Sequence, residues 1–195
     1  MPVSPVTLTP GLVGPFKAFG LNGPSSLQVA QGFAQAFTTF LSTLPVTTAH
    51  VGISGAGTGT GKVTIDPISG VGIVTASLAS TGISGPSAAG LASGLVQALA
   101  IELNTNAVVQ VAIAGSSTGA GGGTLAAASA AAFTPLLVSN FTSVAVGGPS
   151  AAQLAQGLAT GVATWLQTAV ITTVDVGTPV FPFATVPGVG TGKVF

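Results

Sequence analysis

The chain has no cysteine, no tyrosine and no arginine, and its 195 residues include only three lysines, three carboxylates and one histidine. Each shortage removes a class of function. Without Cys, and with His50 as the only imidazole, no zinc or iron–sulfur centre can be built from the usual ligands. No disulfide framework exists, so thiols do not reveal a redox compartment. A net charge of zero, with Lys17, Lys62 and Lys193 against Asp66, Glu102 and Asp175, cannot neutralise a row of phosphates, so a basic nucleic-acid surface is excluded. Charged residues make up 3% of the chain, against about 25% in an ordinary soluble domain. Disorder driven by charge is excluded too, because 47% of the residues are hydrophobic and the mean hydropathy is +0.80.

That hydropathy raises the question of a membrane span, and the sequence argues against one. The longest uncharged stretch runs from Leu103 to Val174, and its most apolar window, Ala151 to Ile171, contains Gln153, Gln156 and Gln167. No Lys or Arg stands nearby to orient a span. The first twenty residues, with Pro2, Pro5, Pro10, Pro15 and only Lys17, lack the charged start and apolar run of a signal peptide.

What the chain has in quantity is glycine, 29 residues, and internal similarity. Gly-Pro-Ser occurs at Gly23-Pro24-Ser25, Gly85-Pro86-Ser87 and Gly148-Pro149-Ser150. The residues that follow align: Val29, Leu91 and Leu154; Gly32, Gly94 and Gly157; Phe33, Leu95 and Leu158; Phe37, Leu99 and Val162. Their spacing of i, i+3/i+4, i+7/i+8 is the stripe of an amphipathic helix, with Ser25, Ser87 and Ser150 at its start. Gln28, Gln31, Gln35 and Thr38 fall on the opposite, polar face of the first copy. A glycine at the Gly32 position costs a helix about 1 kcal/mol relative to Ala, which implies close approach by a neighbouring element.

Alternating β-rich runs follow each helix, at Ala49–Ile53, Ala107–Ala114 and Ala169–Val176. The runs Gly55–Gly61 and Gly115–Gly123 read as turns, Gly177–Gly190 as irregular chain, and Val63–Ile65 and Thr124–Ala127 as short strands. A further strand is expected before each Gly-Pro-Ser, at Phe16–Leu21, Val71–Leu78 and Leu136–Val144. The expected fold is therefore α+β: three repeats of about sixty residues, each strand–helix–strand–turn–strand, in a pseudo-threefold arrangement or a side-by-side row. Residues 1–14 would be an extended Pro-rich arm, and the repeats would span 15–74, 75–135 and 136–195, the last with an irregular tail, in one compact domain.

No motif carries chemistry through its nearest test. The stretch Gly55–Val63 resembles a phosphate-binding loop, but Ala56 stands where the pattern needs Gly, and Val63 where it needs a hydroxyl for magnesium. A Ser–His–Asp triad would have to use His50 with Asp66 or Asp175, and no serine lies in a G-x-S-x-G elbow. His50 aligns roughly with Gln110, which makes it read as a polar strand position. Paired-carboxylate chemistry would draw on Asp66, Glu102 and Asp175, which occupy non-equivalent places. Glu102 takes the helix position of Phe40 and Trp165, and is expected at the stripe's edge, reaching water, with a paired contact to Lys17, Lys62 or Lys193 as the alternative. No catalytic, cofactor-binding or metal-ligating residue is assigned.

The reading is a non-enzymatic structural or assembly protein of a symmetric particle, because a nearly uncharged surface has little electrostatic protection against association. A phage or viral virion component, such as a capsid decoration or connecting protein, is the most economical case. The alternative is a secreted or cell-surface binding or adhesion module. Expected partners are copies of the chain itself, as a homo-oligomer or in a lattice, and a major shell protein. The expected location is a virion or extracellular particle, or else a cell surface. Phe40, Trp165, Phe181, Phe183 and Phe195 are the candidate interface residues.

Overall fold

The computed structural model describes residues 4–23, 25–53, 56–105, 108–114, 118–126, 129–168, 170–177 and 186–194; the strands outside 45–47 and 63 are described by backbone path and register. Six helices and six strands alternate in pairs: α1 Pro5–Ala18, α2 Ser25–Thr43, β1 Pro45–Ile53, β2 Ala56–Val63, α3 Pro67–Ser80, α4 Pro86–Thr105, β3 Val108–Ala114, β4 Thr118–Ala126, α5 Ala130–Ser143, α6 Pro149–Leu166, β5 Val170–Gly177 and β6 Val186–Val194.

The expected α+β unit of strand–helix–strand–turn–strand is therefore corrected. Where side chains are described the protein is mostly helical, 78% helix and 3% strand. Of the runs expected as strands before each Gly-Pro-Ser, Val71–Leu78 lies within α3, Leu136–Ser143 of the last within α5, and only Phe16–Ala18 of the first within α1, the rest forming its C-terminal turn. The arm expected over residues 1–14 is, from Pro5 onward, helix. The expected repeat boundaries at 74/75 and 135/136 fall inside α3 and α5.

The physical reason lies in the helix starts. Ser4, Asp66 and Ser129 are N-caps whose side-chain oxygens accept from backbone N–H groups of the first turn, at 3.3 Å from Val6, 3.1 Å from Ile68 and 3.1 Å from Ala132. Pro5 and Pro67 stand at the first helical position, where a missing N–H costs nothing. Each helix then buries a row one turn apart: Leu8, Leu12 and Phe16; Gly70, Val74 and Leu78; Phe133, Leu137 and Phe141. Capping and this row override the strand preference of Val71, Ile73 and Val74.

The six helices close into a ring in which each touches its two sequence neighbours and α6 returns to α1. Buried residues are concentrated in α2, α4 and α6, whose Phe33, Phe37, Leu95, Leu99, Leu158 and Val162 form the centre of the core. Thr38 of the expected polar face is buried at 6% exposure, and its hydroxyl donates to the Ala34 carbonyl at 2.9 Å. The aligned glycines mark the closest helix contacts. A Cβ at Gly32, Gly94 or Gly157 would lie 2.5 Å from Thr81 Oγ1, Phe141 Cδ1 or Phe16 Cδ1. The approaching neighbour is in each case the C-terminal end of the next odd-numbered helix, with α1 serving α6.

The strands leave and re-enter the ring at one end. α2 ends at Thr43 and β1 begins at Pro45, while β2 ends at Val63 and α3 begins at Pro67. The Asn104 side chain fixes this junction, accepting from Ile65 N at 3.0 Å and donating to Ile65 O at 3.3 Å. All six strands form one closed antiparallel barrel, β1-β2-β3-β4-β5-β6, with β6 paired back to β1. From Val51 the register steps through Thr58, Ala112, Gly122, Thr172 and Lys193 and returns to β1 at Pro45, six residues before its start.

The barrel explains the glycine. Val46 is 0% exposed while Pro45 and Thr47 are exposed, so Val46 and its partner Val63 mark the inner face. Strand alternation and register carry that face through Gly57, Gly59 and Gly61, through Gly119, Gly121 and Gly123, and through Gly188, Gly190 and Gly192. Eight strands give an interior that side chains just fill, so a six-stranded barrel is narrower still. The even strands supply glycine to the inner face, and the odd strands supply the larger residues, such as Val109, Val111 and Ile113. The described parts of the runs expected as turns, 56–61 and 118–123, belong to β2 and β4.

Candidate functional site

The titratable residues are distributed over both the ring and the barrel. Asp66 is bound to the first turn of α3, and the N–H of Ile68, then the hydroxyl and N–H of Ser69, hold its carboxyl below the usual carboxylate value. Glu102 is not at an edge reaching water: it is 1% exposed, in the last turns of α4. Lys17 is exposed in the last turn of α1, at the opposite end of the ring from Asp66. Register puts His50 and Asp175 on the inner face of the barrel: His50 pairs with Gly188, and Asp175 with Gly190 one step along β6. Gln110 falls on the other face, because it pairs with Thr60, the partner of Ala49; the row-mate of His50 is Val111. Within the loop-like stretch Gly55–Val63, residues 56–63 are strand β2, with no helix start to receive a phosphate. Among the described residues no three His, Cys, Asp or Glu side chains could share a metal ion.

The expected interface aromatics are placed differently from one another. Phe40 is 1% exposed and Trp165 is 8% exposed, so both belong to the core, near the junction with the barrel. Gly70 fits against Phe40, where a Cβ would lie 2.7 Å from the ring. Phe181, Phe183 and Phe195 lie outside the described residues, as does Pro24.

Two surfaces stand out instead. One is the shoulder from which the barrel rises. Val6 and Ile68, in the first turns of α1 and α3, are 80% and 86% exposed, and Ile101 near the end of α4 is 44% exposed. The outer barrel face above the shoulder follows from register: Thr47, Ala49, Val51 and Ile53 on β1, and Val170, Thr172, Val174 and Val176 on β5. Its charged members, Lys62 and Lys193, both sit beside the first residues of β1, at the foot of the barrel.

The other surface is a pocket of about 400 Å³ at the end of the ring away from the barrel. Val29, Leu91 and Leu154 enter it from α2, α4 and α6, and Leu21 and Val146 from the turns after α1 and α5. These turns are helix C-caps of one kind: Leu21 N–H donates to Phe16 O at 2.8 Å, Ile83 to Leu78 at 3.0 Å and Val146 to Phe141 at 2.8 Å. The residue just before each donor is left-handed, with φ +88° at Gly20, +86° at Gly82 and +60° at Ala145. Sequence reading missed this pocket, although Val29, Leu91 and Leu154 head the aligned stripes that it found.

By length and composition, helix α4 is long and apolar enough to cross a membrane over Pro86–Asn104, but 56% of that window is buried in the ring. No family model, curated protein or solved structure matches the chain. The narrower expectation of a virion or capsid component therefore has no support and is withdrawn.

Proposed function

We propose that the protein is a non-enzymatic assembly subunit that works packed against other protein, either further copies of itself or a larger structure. The observation that carries this reading is the shoulder. Val6 and Ile68, at 80% and 86% exposure, stand at the foot of a barrel whose outer face is mainly Thr, Val and Ala, and a weakly polar surface continuous with exposed apolar side chains suits contact with other protein. A partner that encloses the barrel and rests on the shoulder would bury Val6, Ile68 and Ile101 together, with Lys62 and Lys193 at the rim.

Catalysis has little to draw on. Asp66 is committed to a helix cap and Glu102 is buried in the ring, while His50 and Asp175 share the inner face of a six-stranded barrel, narrower than the eight-stranded barrels whose interior side chains just fill. The test is sedimentation of material from the native source with quantitative mass spectrometry across the gradient. The reading expects the chain in a large assembly at fixed stoichiometry, and expects Ile68→Glu with Val6→Glu to release it with the fold intact. A chain that stays in the light soluble fraction contradicts it.

A further inference from the structure

We propose that the pocket at the barrel-distal end of the helix ring binds an uncharged, mainly hydrocarbon ligand with one hydrogen-bonding end. The volume, about 400 Å³, lies in the range of small-molecule sites. The residues that line it include no charged side chain, and its polar groups are hydroxyls at the starts of α2 and α6: Ser25, Ser26 and Ser150. Helix dipoles supply no net charge there either. Three helices begin at this end, α2, α4 and α6, and three end there, α1, α3 and α5, so positive and negative ends alternate around the opening. A neutral amphiphile suits this arrangement better than an anion: its chain would lie on Val29, Leu91 and Leu154, and its hydroxyl beside the serines.

A second observation places strain next to the same pocket, one residue before Val146. Where the α1 and α3 caps use glycine, the α5 cap forces Ala145 to φ +60°, a conformation that disfavours any Cβ. The α3 cap also receives a hydrogen bond from Gln28 Nε2 to Thr81 O. The residue facing the α5 cap is Gly90, where a Cβ would come within 3.1 Å of Val146 Cγ2 and 3.3 Å of Val144 O. Val146 is thus seated close to α4, and Gly147 beside it has nothing within 4 Å of a Cβ position. Both residues line the pocket. Non-glycine residues held at positive φ tend to cluster where a binding surface fixes the backbone.

The experiment is fluorescence titration of the full chain with N-phenyl-1-naphthylamine, an uncharged apolar probe, followed by competition with 1-decanol and with decanoate. The proposal expects saturable binding of one probe per chain and displacement by decanol at lower concentration than by decanoate. Ala151→Trp fills the pocket from the exposed first turn of α6 and should weaken probe binding at least tenfold. Leu27→Trp, at a position 49% exposed and outside the pocket, should change it by less than twofold. Circular dichroism confirms that both variants fold. Absence of saturable binding, equal binding by the folded Ala151→Trp variant, or preferential displacement by decanoate that depends on Lys17 would each overturn the proposal.

Discussion

Glycine does opposite work in the two halves of this molecule. In the helix ring, Gly32, Gly94 and Gly157 are isolated positions at which a neighbouring helix end touches the backbone, and a Cβ would meet an atom at 2.5 Å. In the barrel, glycine recurs at every second residue of β2, β4 and β6, and nine of them share one face. The ring uses glycine to bring two surfaces together at a point. The barrel uses it to let six strands close around a lumen too narrow for side chains from every strand. The same residue type therefore predicts different responses to substitution in each half.

The largest effect is expected in the barrel. Gly121 lies on the inner face and Gly122 on the outer, because Gly121 pairs with Ile113 and Gly122 with Ala112. Gly121→Val should cost roughly 1–3 kcal/mol or more by overpacking and should abolish barrel closure. Gly122→Val should be neutral or mildly stabilising; urea unfolding of the two variants checks the difference. Equal costs at both positions would break the comparison.

In the ring the sign depends on what the new Cβ meets. Gly161→Ala gains about 1 kcal/mol of helix propensity. Its Cβ, however, would lie 2.9 Å from the Gly11 carbonyl oxygen and 2.6 Å from Leu12 Cδ2, so a net loss of about 1–3 kcal/mol is expected in thermal unfolding. The Gly11 carbonyl lacks its i+4 donor, because that residue is Pro15, inside α1. The aligned residues of the other two inner helices, Ala36 and Ala98, are accommodated as alanine at 0% exposure. By contrast Gly72→Ala, with nothing within 4 Å, should stabilise by about 0.4–1 kcal/mol. Ala145→Gly should raise stability by about 0.5–1 kcal/mol, since αL relief exceeds the added unfolded-state freedom.

The inner helices were legible in the sequence because each keeps one face apolar over several turns, as Ala30, Phe33, Phe37 and Leu41 do. The outer helices were not. Their buried rows are only three residues wide, and Pro10 and Pro15 in α1 or Val71 and Ile73 in α3 argue locally for extended chain. The readable signal was the Ser4-Pro5 and Asp66-Pro67 pair of helix starts. Glycine-rich runs were read as turns because a lone strand of alternating glycine has no stability of its own; its conformation comes from the closed register, which no local pattern carries. The pocket was hidden because Leu21 and Leu154 meet only through the ring, and the burial of Phe40 and Trp165 was not legible because one helix cannot show what packs on it.

The smallest expected effect concerns pH and belongs to the junction of the two halves. Asp66 has its folded-state pKa lowered by the α3 N–H groups. Its contribution is therefore present above the unfolded value of about 3.9 and is lost as pH falls through the lower folded value. Asp66→Asn should flatten the stability profile in that acid window, slightly lowering stability at neutral pH and leaving it unchanged below the folded value. A profile equally steep in the variant would contradict the capping role.

The central claim is that the barrel is closed, and closure depends on one contact, β1 against β6. The chain has no cysteine, so a single engineered pair reports on it without background. Thr47 and Thr191 are register partners on the outer face. Oxidation of the Thr47→Cys/Thr191→Cys variant should give a rapid intramolecular disulfide, seen as a mobility shift and loss of free thiol in monomeric protein. The control variant Thr47→Cys/Thr124→Cys, with its second cysteine on β4, should stay reduced. Failure of the first pair to cross-link, or equal cross-linking of both, would show that the strands do not close as described.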